Sequence, residues 1–367
     1  MKVLIATGLY PPEIGGPATY SKILHDSLPQ KGIEVQVIPF RTVKRFPKVI
    51  RHIAYALAVF REGRKVDCIY AQDPISVGLP SAIVAWILRK PFILKMVGDY
   101  AWEQSTQRYG FSGTIESFQH AELSFAPKML RWLERFVARR AVRIVVPSKY
   151  LAKIVSMWGV KTKVSVIYNG VEELKDTGNK PVLRGLLKFH GKLLISVGRL
   201  VPWKGFDALI ELLPSLRNTF ADLKLMIVGS GPDMEALEKK AESLGLSDEV
   251  IFTGALDRDV LIRYLRASDV FVLNTAYEGL SHQILEVMSV GVPVVTTNIG
   301  GNPEIIEHEK DGFLVPLGDT KRLSSHVSNL LSSGELRTKI VAAGKRKAKQ
   351  FSNERMVEET AKFLKSL

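Results

Sequence analysis

The stretch VFVLNTAYEGLSHQILEVMSVGVPVVT (Val270–Thr296) decides the reading of the fold. Val270–Leu273 is an apolar run of strand length, suited to burial on both faces. After a loop that holds Glu278 and Gly279, Ser281 is placed to cap a helix over His282–Val290, and Gly291 to stop it. Pro293–Thr296 then reads as the next strand. This is a strand–helix–strand unit, the building block of parallel sheets. It also holds a puzzle. Glu286 stands among Ile284, Leu285, Val287, Met288 and Val290, on a helix apolar on nearly every side. A buried carboxylate without a partner is costly. Glu286 therefore either accepts hydrogen bonds, with a pair of ligand hydroxyls as a natural donor, or forms a solvated stripe beside Ser289. Glu278 is either turned toward a ligand or is a plain loop carboxylate.

The same rhythm extends in both directions. In the second half the expected strands are Leu193–Val197, Lys224–Val228, Val250–Phe252, Val270–Leu273, Pro293–Thr296 and Phe313–Val315. Helices are expected to begin near Gly205, Met234, Arg258, His282, Pro303 and Thr320. In the first half Lys2–Thr7, Glu34–Ile38, Cys68–Ala71, Phe92–Met96 and Arg143–Pro147 read as strands. Helical patterns lie between them, the clearest over Pro127–Ala141. The rhythm lapses around Ile167–Asp176, which makes Val171–Lys180 a candidate linker. A chain of 367 residues exceeds what one core usually supports. The expectation is an α/β protein of two doubly wound, Rossmann-like domains facing across a cleft, residues 1–170 and 171–350. An amphipathic C-terminal helix over 351–367 is expected to cross back to the first.

Composition narrows the class. Apolar residues make up 46% and charged residues 24%, which is ordinary for a globular chain. A lone cysteine, Cys68, excludes an internal disulfide framework and a Cys-rich metal site, and fits a reducing compartment. MKVLIATGLYPPE reads as a first strand and not as a signal peptide. GLPSAIVAWIL (Gly78–Leu88) is too short to span a bilayer, which takes about 20 residues. The net charge of +14 lies wholly in the first half: residues 1–170 carry 25 Lys/Arg and 11 Asp/Glu, and the remainder carries 26 of each. That asymmetry suggests an anionic partner for the first half, or a solvated basic face with none.

Several loops suit anions. Gly15 and Gly16 follow the first strand and precede a helix with Pro17 in its first turn, so they form either an anion-binding turn or a plain one. They do not complete a dinucleotide GxGxxG motif, which needs a third glycine. LLISVGRLVPWKG (Leu193–Gly205) places Arg199 and Lys204 after a strand, and MIVGSGP (Met226–Pro232) places Gly229 and Gly231 after another. Together they suit a phosphate clamp, with Arg for bidentate contact and Lys as a point charge. Asp257-Arg258-Asp259 has the form of a cation-binding acidic pair, but ALDRDVLIRYL reads better as a helix start with Asp257 as N-cap.

These residues together resemble the retaining GT-B glycosyltransferases of family 4, also called glycosyl transferases group 1. The resemblance runs through PPEIGGPATY (Pro11–Tyr20), PSKYLAK (Pro147–Lys153), VIYNGV (Val166–Val171), SVGRLVPWKG (Ser196–Gly205), IVGSGP (Ile227–Pro232), FTGAL (Phe252–Leu256), YEGLSHQILEVMSVGVPVV (Tyr277–Val295) and GGNPEII (Gly300–Ile306). The resemblance implies a nucleotide-diphosphate sugar as donor substrate, no metal and no other cofactor, and a hydroxyl of a glycan or lipid-linked acceptor in cell-surface polysaccharide or glycolipid synthesis. Arg199 and Lys204 would neutralise the diphosphate, Glu286 would accept from the ribose hydroxyls, and Glu278 would contact the donor sugar. Backbone N–H groups of Gly279, Leu280 and Ser281 would bind sugar or phosphate, with Gly15, Gly16 and Gly229 lining the donor. Many relatives carry a histidine after the strand equivalent to Phe92–Met96; here KMVGDYAWEQ places Asp99 there. Asp99 joins Glu278, Arg199 and Lys204 as a catalytic candidate, with Glu103 and His120 weaker and His120 expected on a surface helix.

Two other functions are weighed. A nucleotide-sugar 2-epimerase shares the architecture and needs no acceptor. A nucleic-acid-binding protein would use the basic first half, but no binding module is recognisable there, so no nucleic-acid partner is expected. The transferase reading gives that charge a different use, as peripheral contact with an anionic membrane from the cytoplasmic side. Thr42–Lys65 mixes cations with Phe46, Ile50, Ile53, Leu57 and Phe60, and its part after Pro47 reads either as an interfacial helix or as a core-facing one.

Overall fold

The computed structural model describes residues 1–13, 15–172, 180–186 and 190–367, with the backbone alone at 48 and 49. Most of the expected linker, residues 173–179, lies outside the described residues, as does Ile14 of the PPEIGGPATY motif. The chain divides into two compact units, Met1–Gly170 with Asn353–Leu367, and Val171–Ser352.

Unit 1 alternates strand and helix. Its elements are β1 (Lys2–Thr7), α1 (Gly16–Ser27), β2 (Glu34–Pro39), α2 (Lys48–Gly63), β3 (Cys68–Ala71), α3 (Gly78–Leu88) and β4 (Phe92–Lys95). There follow α4 (Tyr100–Arg108), α5 (Ile115–Phe118), α6 (Phe125–Arg140), β5 (Arg143–Val146), α7 (Lys149–Met157) and β6 (Lys163–Val166). Unit 2 contains α8 (Lys180–Leu186), β7 (Lys192–Val197), α9 (Phe206–Arg217), β8 (Leu223–Val228), α10 (Met234–Ser243), β9 (Val250–Gly254) and α11 (Arg258–Ala267). It continues with β10 (Val270–Leu273), α12 (His282–Val290), β11 (Val294–Thr297), α13 (Asn302–Ile305), β12 (Phe313–Val315), α14 (Thr320–Ser332) and α15 (Gly334–Ala348). A last helix, α16 (Asn353–Lys365), belongs to unit 1, where Met356, Val357 and Leu364 pack into the core with Val3, Ile5, Tyr20, Leu24 and Tyr70.

Each unit holds a six-stranded sheet, ordered β2-β1-β3-β4-β5-β6 and β12-β11-β10-β7-β8-β9, with every pairing parallel. Runs such as CIYA and VFVL are buried along their whole length because helices cover both faces. The expected strands all form, with ends that coincide or shift by at most two residues. β6 escaped notice. KVSV carries no apolar run, because an edge strand is only partly covered. α15 escaped too: GELRTKIVAAGKRKA buries only Ile340, Gly344 and Ala348 and shows little apolar periodicity. Cys68 is a buried free thiol within the core of unit 1.

The order of strands locates each unit's crevice. In unit 2 the chain enters at β7, moves outward through β8 and β9, then returns to lay β10 on the other side of β7. The loops after β7 and β10 therefore leave the sheet in opposite directions, which opens a crevice at those strand ends. In unit 1 the same divergence falls between β1 and β3, beside the loop that contains Gly15.

Lys95, the last residue of β4, is 1% exposed. Burial pulls its pKa down to about 7. It does so although Nζ donates to Asn169 Oδ1 at 3.0 Å and stands 3.6 Å from the centre of the Tyr20 ring, contacts that favour the ammonium. Above that value the folded chain has shed a proton that an unfolded lysine holds to about pH 10. Stability then rises with pH from about 7 to about 10, because the unfolded state binds more protons. In Lys95→Met this rise should vanish; urea midpoints for both proteins at about pH 7 and about pH 9 test it, and parallel curves would refute it.

Candidate functional site

The site is built at the crevice of unit 2. After β7 the chain runs through Gly198, Arg199 and Trp203 to Lys204; after β10 it runs through Asn274 and Thr275 to Glu278. The two loops are tied together. Ala276 N–H donates to the Trp203 carbonyl at 2.7 Å, and Thr275 Oγ1 donates to the same oxygen at 3.1 Å. This brings Lys204 Nζ onto Glu278 Oε1 as a hydrogen-bonded ion pair, with the two side chains 12% and 10% exposed. The sequence assigned these two residues to diphosphate and sugar separately; the structure joins them. Arg199 stands exposed on the same loop.

Two glycines let neighbouring loops close onto this pair. Gly229 has φ 144°, and a Cβ there would fall 1.8 Å from the Gly198 carbonyl oxygen. Its lack of a side chain thus serves loop-to-loop packing at the ends of β7 and β8. Gly300 has φ 61°, and a Cβ there would lie 2.0 Å from the Glu278 carbonyl oxygen, which also accepts from Gly301 N–H at 2.9 Å. The loop after β11 therefore fixes the backbone of Glu278.

Beyond Glu278, the Ser281 hydroxyl accepts from Ile284 N–H at 3.4 Å and caps α12, while Gly291 ends the helix with φ 91°. The N–H groups of the first turn open toward the Glu278 loop and form a positive helix end.

Glu286 is 9% exposed, which rules out the solvated stripe. Its Oε1 accepts from Arg258 Nε at 3.1 Å, and Arg258 Nη1 donates to Glu172 Oε2 at 2.6 Å. The donor anticipated for Glu286 is thus at least partly protein. Among the described residues its Oε2 has no partner. His282 precedes Glu286 by one helical turn, its Nδ1 buried and without a partner among the described residues. Burial holds the His282 imidazole below its usual pKa, so the ring is neutral. Arg258 and His282 were not singled out from sequence. His282 was legible as the i−4 neighbour of Glu286. The Arg258 contact joins residues far apart in the chain and left no local sign. Asp257 holds the N-cap position of α11 as expected, but its side chain makes no capping hydrogen bond.

Two family models together cover most of the chain. Glycosyl transferases group 1 matches residues 186–347, and Glycosyltransferase Family 4 matches residues 9–173. The chain belongs to this glycosyltransferase family. Within the family it is 36% identical over 159 residues to a GDP-mannose-dependent alpha-(1-6)-phosphatidylinositol monomannoside mannosyltransferase of Mycobacterium tuberculosis, a match spanning 41% of each chain. It is 27% identical to an uncharacterized glycosyltransferase of Methanocaldococcus jannaschii, across 100% of this chain and 98% of that one. Its fold matches Anabaena HepE, solved in complex with UDP-glucose, with TM-score 0.80, 22% identity and full coverage of both chains. The architecture is therefore GT-B.

The family's other expected residues lie in unit 1. Gly15, with φ 149°, precedes α1, which starts at Gly16 with Pro17 in its first turn. Asp99 is 1% exposed and caps α4, accepting from Trp102 N–H at 2.8 Å and from Gln119 Nε2 at 2.8 Å on its other oxygen. Glu134 hydrogen-bonds beside it, and burial raises the pKa of both carboxyls. Glu103 lies in the first turn of α4. His120 sits in an exposed turn past α5 instead of on a helix.

Two substitutions probe the packing of this site. Gly229→Ala should cost at least about 2 kcal/mol, from overpacking and a strained φ. Glu278→Gln should cost about 3 kcal/mol by leaving the Lys204 ammonium without its counter-charge. Urea unfolding measures both, and unchanged midpoints would refute the packing described.

Proposed function

We propose that this chain is a retaining glycosyltransferase that moves a sugar from a nucleotide-diphosphate donor to a hydroxyl of a glycan or lipid-linked acceptor, in cell-surface polysaccharide or glycolipid synthesis on the cytoplasmic side. The observation that carries the proposal is the Lys204–Glu278 pair, held where β7 and β10 diverge and three residues ahead of the α12 cap. Support also comes from two relatives whose names or bound ligands are nucleotide-diphosphate sugars, GDP-mannose and UDP-glucose.

In this reading the donor diphosphate takes over the Lys204 ammonium, and Arg199 adds bidentate contact. Glu278, released from Lys204, turns its carboxylate to the sugar hydroxyls. The N–H groups of Gly279, Leu280 and Ser281 meet oxygens of the sugar or phosphates at the helix start. Gly229 lines the donor through its backbone. Glu286 keeps Arg258 on one oxygen and offers the other to a ribose hydroxyl. Gly15 and Gly16 form an anion-accepting turn in unit 1. Asp99, with both oxygens engaged, shapes the β4–α4 turn on which an acceptor hydroxyl is oriented. An anionic membrane surface is the partner proposed for the basic first half.

The bond from the anomeric carbon to the leaving phosphate oxygen breaks as charge builds on the diphosphate. Fixed cations and amides stabilise that charge without reorganising. The acceptor hydroxyl oxygen bonds to the anomeric carbon on the face the phosphate leaves and passes its proton to the leaving phosphate oxygen, so the anomeric configuration is kept. The two cations take the place of a divalent ion. The 2-epimerase and nucleic-acid readings are not favoured, because both family models and the two sequence relatives named above are glycosyltransferases.

Thermal-shift screening of UDP-, GDP- and ADP-sugars should reveal at least one donor, worth about 2.7 kcal/mol at a hundredfold excess over Kd. With that donor and an acceptor, transfer should persist in EDTA and give a product of retained configuration by NMR. Lys204→Ala should lower kcat/KM at least about 100-fold. Stabilisation by no nucleotide sugar, or an inverted product, would refute the proposal. Full donor affinity in Glu286→Ala would remove the ribose role alone.

A further inference from the structure

Large apolar side chains are exposed unevenly. On unit 1 three helices each present a stripe of them at helical spacing: Ile50, Ile53 and Leu57 on α2, Ile83, Trp86 and Ile87 on α3, and Phe125, Met129 and Trp132 on α6. Trp86 is 70% exposed, Phe125 79% and Trp132 53%. The helices are neighbours, with α2 packed along α3 and α3 against α6. Each also has a normal buried face, such as Tyr55 and Val59 on α2, Val84 and Ala85 on α3, and Val137 and Ala138 on α6. The outer stripes are therefore surplus to the core. Large apolar side chains exposed in this number on adjoining helices mark an interaction site.

Charge decides the occupant. Arg61, Arg64, Lys65, Arg89, Lys128, Arg139 and Arg140 are exposed on these helices or at their C-terminal ends. Their two carboxylates do not offset them. Glu62 is partly buried and paired with Lys65, and Glu134 is buried. Among the described side chains no carboxylate is exposed on the three helices. Tryptophan, phenylalanine and isoleucine ringed by Lys and Arg match the boundary between acyl chains and anionic headgroups. A protein partner would call for polar groups that pair at the rim, whereas a lipid surface needs only depth and positive charge.

We infer that the outer faces of α2, α3 and α6 form one membrane-docking surface that takes an anionic bilayer, with Trp86, Phe125 and Trp132 as its inserted anchors. The inference extends the membrane partner proposed above to a defined surface and adds α3 and α6 to the segment after Pro47. It can fail or hold independently of sugar transfer, because its readout involves no donor.

Flotation of the full chain with vesicles of phosphatidylcholine, alone or mixed with phosphatidylglycerol, tests it. The chain should float with the mixed vesicles, with a blue shift in tryptophan emission, and stay unbound with phosphatidylcholine alone. Trp86→Ser with Trp132→Ser should reduce partitioning at least about tenfold, and Phe125→Ser should reduce it in a background that keeps both tryptophans. Circular dichroism and the donor thermal shift should be unchanged in each variant. Three outcomes would overturn the inference. The wild-type chain could stay unbound with phosphatidylglycerol present. The variants could float as well as wild type. Sedimentation velocity could find a dimer that these substitutions dissociate while vesicles capture nothing, which would assign the surface to a second copy.

Discussion

A parallel sheet covered by helices on both faces has no exposed face on which to bind anything. Its chemistry is confined to the loops at the carboxyl ends of its strands, and a crevice opens only where two neighbouring strands send their chains in opposite directions. In unit 2 that condition is met between β7 and β10. The side chains singled out for chemistry in this unit leave from the loops that begin there or from the helix that follows. Lys204 comes from one side and Glu278 from the other, and Glu286 stands on the next helix.

The constraint carries an electrostatic cost. Loops folded tightly enough to hold a ligand exclude water, so each charge placed there must be answered. The structure answers them in pairs, Lys204 with Glu278 and Arg258 with Glu286. Such pairs add little net stability over apolar groups of the same size, but they hold cations and carboxylates at fixed places. A charge already desolvated and positioned needs no rearrangement when a ligand's charge develops beside it. In Asp99 and Glu134 of unit 1 the same physics gives a different result. Two like groups share a buried site, and the carboxyls are raised toward their neutral form and used to cap α4.

This division explains what could be read from the amino-acid sequence. The strands of the core were legible as apolar runs, and α12 as a cap, a helix and a glycine stop, because local residues determine both. Glu278 and Lys204 were legible as candidates, but their contact was not. It depends on β10 returning beside β7, and no local pattern records strand order. Gly229 was read as a phosphate-binding glycine, and the structure adds a packing reason for it, because a side chain there would meet the Gly198 carbonyl. A glycine-rich strand end looks the same in either case, since both need close approach of backbone. β6 was lost for the opposite reason. An edge strand half exposed to water needs no apolar run.

The helices of unit 1 carry the argument one step further. Gly78–Leu88 is apolar almost all round, and in sequence that pattern fits a helix buried on every side. Only one side of it faces the sheet, and the other leaves Ile83, Trp86 and Ile87 in the open. Exposure of one such residue is common and needs no explanation. Three neighbouring helices that do it, with exposed charge of one sign, do not arise from packing demands, because each already turns other residues to the core, such as Tyr55 and Val59 on α2, Val84 and Ala85 on α3, and Val137 and Ala138 on α6. Their burial is left to something outside the fold. The same basic half that lacks compensating acids therefore has both terms of interfacial binding, apolar area and positive charge, on one surface.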